Sequence, residues 1–142
     1  MENHNKIEAL LKLAKAGDKK AEAEIFQLLL ERFQNLATLK LKKDSILRKH
    51  INIPEECQKI CNLTIQEVKR LYPINSSTWS LIRVMYVFHN ILENAIFNLL
   101  TTLAKQGNSS AENSLFSRLR IKLIERIETK KRRKFSHESP DK

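Results

Sequence analysis

Arg83 and His89 stand six positions apart in the run R-V-M-Y-V-F-H, with Asn90 directly after the histidine. An imidazole can carry a proton and a guanidinium can stabilise phosphate charge, so the pair has the chemistry of phosphodiester cleavage. On a regular helix six residues span about 1.7 turns, which sends the two side chains apart. Trp79 precedes the same stretch and Tyr86 lies within it. With Arg83 they could form a single-strand surface, where each stacked base contributes about 1–3 kcal/mol. The competing expectation for Trp79 and Phe88, on an apolar helix, is burial in the core. A third group is Lys130, Lys131, Arg132, Arg133 and Lys134, consecutive cations that attract phosphate backbones of any sequence.

Other chemistries find no support. Cys57 and Cys61 lie four apart on one face of an expected helix, with no histidine or second cysteine pair nearby to complete a metal site. They are expected to be packed thiols. Aspartate occurs only at 18, 44 and 141, which disfavours a carboxylate metal site. Gly is 2 and Pro is 3, so there is no glycine-rich phosphate loop. No nucleophile triad or carboxylate pair stands out, and no cofactor, metal or catalytic residue set is expected.

The formal net charge of +10 is uneven: residues 1–116 carry 16 Lys/Arg against 12 Asp/Glu, and 117–142 carry 10 against 4. More than half of the excess therefore sits in the last segment. The longest apolar run, Val84 to Phe88, is far short of the roughly 20 residues of a membrane span. The start carries scattered charges and does not read as a secretory signal. A cytoplasmic protein that does not enter membranes is the expectation.

The elements that must position these residues are helices. Apolar spacings of three and four predict helices near 5–16, 19–43, 54–72, 78–104 and 110–131, and no sheet. Gly17 fits the C′ position of the first helix and Asp18 the N-cap of the second. Residues 44–53 read either as a loop or as a frayed extension. Pro54, Glu55 and Glu56 suit the first turn of the third helix, and Pro73 ends it. Between Leu71 and Ala104 only Arg83 and Glu93 are charged, which marks helix 78–104 as the central core element. Gly107 and Asn108 repeat the cap logic. The expected organisation is one all-α domain over 1–130, with a basic, disordered tail at 131–142.

An internal echo accompanies this pattern. Leu13, Ala14, Lys15, Gly17, Ala21, Glu22 and Phe26 recur at a constant offset of 90 as Leu103, Ala104, Lys105, Gly107, Ala111, Glu112 and Phe116. Asp18 becomes Asn108 and Ile25 becomes Leu115. A shared cap device is the expected cause, with a true duplication as the alternative.

Residues 10–43, beginning LLKLAKAGDKKAEAEIF, resemble the opening helices of region 2 of bacterial sigma factors, with Ala14, Ala16, Gly17 and Asp18 at the A-x-A-G-D-type turn. IQEVKRLY at 65–72 is similar to that family's Q-E-V-F-L-R-L-Y helix. Trp79 and FHNILENAI at 88–96 resemble its last helix. The resemblance implies a compact helical domain of about five helices, with RNA polymerase core and single-stranded DNA as partners. Gln66, Glu67 and Arg70 would match polymerase-binding positions, and Trp79, Arg83, Tyr86, His89 and Asn90 would lie on or near a DNA-facing helix. Two rival readings stand beside it. The R-x(5)-H spacing of Arg83 and His89 resembles the HEPN-type ribonuclease motif. A non-catalytic helical protein–protein interaction module needs no motif at all.

Overall fold

Gly17 closes the first helix because only glycine takes its conformation cheaply. In the computed structural model, which describes the backbone of residues 2–138 and the side chains of 5–132, α1 spans Glu2–Lys15 and Gly17 has φ 104°. The Gly17 amide donates to the Ala14 carbonyl and the Asp18 amide to the Leu13 carbonyl, each at 3.0 Å, which satisfies two carbonyls left open at the helix end. The Asp18 carboxylate then accepts from the amides of Lys20 and Ala21 at 2.9 and 3.1 Å and starts α2, Lys19–Lys43.

The ambiguous stretch resolves into a short helix, α3, Ser45–His50. Asp44 makes it. Its amide donates to the Leu41 carbonyl at 3.3 Å, ending α2, while its carboxylate accepts from Ile46 and Leu47 at 2.9 and 3.0 Å. Asn52 caps α4, Ile53–Leu71, by accepting from the Glu55 amide at 3.2 Å, and Pro54 sits in the first turn. The next helix, α5, spans Leu81–Lys105. It begins later than the apolar pattern suggests, because the Ser80 hydroxyl accepts from the Arg83 amide at 3.2 Å and leaves Thr78 and Trp79 in the preceding turn. The last helix, α6, spans Ser109–Glu138 and so continues seven residues past the expected end at 131. The tail residues 139–142 lie outside the described residues. The described residues are all-helical, with six helices and no strand. No helix among them is long and apolar enough to cross a membrane.

The chain divides into two compact units, Met1–Ile96 and Phe97–Lys142, with the boundary inside α5. In the first unit α1, α3 and α4 pack on α2, and Phe33 stacks on Phe88 of α5 with centroids 4.6 Å apart and planes at 11°; α5, expected to be the most buried helix, carries seven buried residues over its length against six on α2. On α2 the buried residues form a single row. Ala21, Ile25, Leu29, Phe33, Ala37 and Leu41 repeat every fourth residue and are all buried. On α5 the apolar residues spread round the helix, leaving Ile82 84% and Tyr86 67% exposed. From α4 come Cys57, Ile60, Cys61, Thr64 and Val68. Thr64 is the buried polar residue among them, and its hydroxyl donates to the Ile60 carbonyl at 2.8 Å.

Both cysteines are free and buried, as packed thiols should be. Burial and the neighbouring Cys57 push the Cys61 thiol up to about 11 from 9.0. A raised thiol pKa stabilises the fold below the unfolded value and loses that contribution as pH climbs through the folded one. The expected outcome is slow alkylation of Cys61 at pH 8 in the folded protein, fast alkylation in denaturant, and a fall in stability between about pH 9 and 11. Equal alkylation rates in both states would contradict this packing.

In the second unit Leu100 and Ala111 are fully buried and Leu103 nearly so. The Lys122 ammonium of α6 lies 5.8 Å from the centre of the Phe97 ring. Asn108 caps α6 by accepting from the Ala111 amide at 2.9 Å. Beyond that first turn the helix is open, and no described residue after Ala111 is buried.

Candidate nucleic-acid interface

α5 begins at a Ser80 cap, so Ile82, Arg83, Tyr86, His89 and Asn90 fall at spacings of three and four and share the exposed side of the helix. Their opposite, Val84, Val87, Phe88 and Leu92, is buried, which fixes the rotation of the helix. Tyr86 offers an open phenol ring one turn beyond Ile82. The Arg83 guanidinium donates to the Thr78 carbonyl at 2.8 Å, which ties it to the turn ahead of the helix while leaving it exposed. The His89 ring sits 5.4 Å from that of Phe88 at 58°. This arrangement can stack a base on Tyr86, hold a phosphate at Arg83 and hydrogen-bond through His89 and Asn90.

Trp79 is not part of that face. It lies before α5, is only 4% exposed, and its indole Nε1 has no hydrogen-bond partner. Its expected place on a DNA-facing surface is corrected by its size: the turn that precedes α5 folds the indole inward, where its burial outweighs contact with water. Arg83 and His89 are both exposed, and six residues of helix set them about 120° apart round the axis. That disposition does not form an enclosed acid/base pair.

On α4, Gln66 and Arg70 are exposed and Glu67 is half-buried. Arg70 grips Glu67 with two bonds, Nε to Oε1 at 3.1 Å and an η nitrogen to Oε2 at 2.8 Å. Those bonds hold the Glu67 carboxyl below its usual range. The carboxyl therefore stays ionised at neutral pH, and the pair is lost only as pH falls through that lowered value.

Lys130, Lys131 and Arg132 are exposed on α6. For Arg133 and Lys134 only the helical backbone is described. On a helix Lys130, Lys131 and Arg132 project at successive 100° steps, so these three present charge round the helix rather than as a stripe. Sequence reasoning missed another basic feature. Lys15, Lys19 and Lys69 line a groove beside the α1–α2 turn, with Phe26 and Glu22, and Lys69 stands 4.9 Å from the Phe26 ring centre. Lys69 is 50 residues beyond Lys19 in the sequence, and no local pattern joins it to Lys15 and Lys19. Among the described residues no group of three or more His, Cys, Asp or Glu could hold a metal ion.

No family model, curated protein or solved structure matches the chain.

Proposed function

We propose that this chain is a non-enzymatic, sigma-factor-like protein that binds RNA polymerase core and single-stranded DNA in transcription initiation or its regulation. The observation that carries the reading is the common exposure of Arg83, Tyr86, His89 and Asn90 on one side of α5, with Tyr86 67% open to solvent. An open aromatic ring beside an arginine suits an unstacked base and its phosphate. Gln66, Glu67 and Arg70 on α4 serve as the polymerase contact. The cations at the end of α6 add sequence-independent attraction. A non-catalytic interaction module is the second reading, favoured by the apolar residues that α6 leaves exposed.

Retention of core polymerase on the immobilised protein at low salt tests the proposal. The double variant Glu67→Arg, Arg70→Glu keeps an intrahelical pair and so preserves the fold, but inverts the charge pattern offered to a partner. It is expected to weaken retention at least tenfold. If the wild-type chain fails to retain polymerase at low salt, the sigma-like reading falls.

A further inference from the structure

The echo extends to the backbone of the turns that follow α1 and α5. Gly107 has φ 94° where Gly17 has 104°. The Asn108 amide donates to the Leu103 carbonyl and the Gly107 amide to the Ala104 carbonyl at 3.0 Å each, the same distances as at Asp18 and Gly17. Asn108 caps Ala111 at 2.9 Å as Asp18 caps Ala21 at 3.1 Å. The match then runs on along the helices. At the same offset, Ala21, Ile25, Leu29, Phe33 and Ala37 of α2 correspond to Ala111, Leu115, Leu119, Leu123 and Ile127 of α6, and the match ends where Leu41 corresponds to Lys131. A shared cap explains the turn. It does not explain core-type residues kept in register for roughly four further turns.

The two faces differ in what covers them. On α2 every one of those residues is buried, with α4 packed against the helix and Phe88 of α5 on Phe33. On α6 only Ala111 is buried: Leu119 is 47%, Leu123 59% and Ile127 46% exposed, and Phe116 at 63% and Ile124 at 46% extend the row. An uncovered row of this size marks an interaction surface. Arg120, Lys122, Arg126, Lys130 and Lys131 stand three or four residues from members of the row, against Glu112 and Glu128.

We propose that this face of α6 docks an amphipathic helix with acidic borders, supplied by another protein. The α2 precedent sets the form of the occupant, since the same residue pattern there is covered by a helix. Charge sets its borders. A second copy of this chain would bring the basic flanks against one another, whereas glutamate or aspartate beside the partner's apolar stripe would meet them.

The test uses the full chain and a labelled synthetic helix with leucine at i, i+3, i+4 and i+7 and glutamate at its borders. A second peptide with lysine borders, and phosphatidylcholine vesicles with and without phosphatidylglycerol, serve as the other arms. The glutamate peptide is expected to bind at least tenfold more tightly than the lysine peptide. Leu119→Asp with Leu123→Asp, which leaves the C-terminal cations intact, is expected to weaken that binding at least tenfold. Arg120→Glu with Arg126→Glu keeps the apolar row and is expected to narrow or reverse the preference. Four results would overturn the proposal: no peptide binding, equal binding of both peptides, undiminished binding by the aspartate variant, or binding to anionic vesicles alone. Sedimentation showing a stable dimer that the aspartate variant abolishes would also overturn it, by giving the face to a second copy.

Discussion

Leu29→Ala is expected to cost the first unit about 2–5 kcal/mol, and Leu119→Ala less than about 0.5 kcal/mol. The two leucines occupy the same register after the same cap, 90 residues apart. Leu29 is fully buried and Leu119 is 47% exposed. Truncating Leu29 removes its transfer free energy and leaves a cavity that a close-packed core closes only in part. At Leu119 water already reaches the side chain, so alanine removes little contact and its helix propensity offsets part of the loss. A loss at the upper end approaches the whole stability of a small domain. Urea unfolding followed by circular dichroism measures both variants. Similar losses at the two sites would mean that α6 is covered in solution as α2 is.

Deletion of residues 130–142 is expected to remove most of the affinity for nucleic acid and most of its salt dependence. Lys130 to Lys134 supply five consecutive positive charges. For single strands each neutralised phosphate contributes about −0.7 to the slope of log affinity against log salt, so five contacts would lower affinity roughly a hundredfold between 50 and 200 mM salt. The loss should be nearly equal for DNA and RNA, since phosphate contacts read no sequence. The binding that survives deletion should prefer single-stranded DNA and fall on Tyr86→Ala or Arg83→Ala, by roughly the 1–3 kcal/mol of one stacked base at Tyr86. A salt titration with labelled single strands distinguishes these contributions. Strong binding by the deletion variant at physiological salt would place the main affinity on the helical body, with the groove of Lys15, Lys19 and Lys69 as the first region to mutate. Cleavage of RNA lost on His89→Ala would instead support the ribonuclease reading.

The alternation of helices and stops was legible because it is written locally. A positive-φ glycine followed by a capping side chain acts within a few residues, so the turns at Gly17 and Gly107 could be read directly. The same local logic was present at Asp44. The segment after it, SILRKH, has too few residues for a periodicity to emerge, so α3 is marked by the two cap bonds of Asp44 rather than by an apolar pattern. The candidate site was legible in part. Spacings of three and four put Tyr86, Asn90 and their neighbours together, yet aromatic character could not tell Trp79 from Tyr86: one is 4% exposed and the other 67%. Side-chain type sets how much is gained by burial, and the path of the turn before α5 decides which ring receives it.

By itself the sequence determined the all-helical class, the positions of the caps and breaks, the apolar register of α2, and the concentration of positive charge near the end. Each depends on neighbours within one or two helical turns. Tertiary structure alone decided that α1, α3 and α4 all pack on α2, that the Cys61 thiol is held neutral by its surroundings, and that equivalent apolar rows on α2 and α6 meet different fates. Burial depends on what packs against a face from elsewhere in the chain. A row of leucines specifies that it can be covered, and only the packing of distant helices determines whether it is.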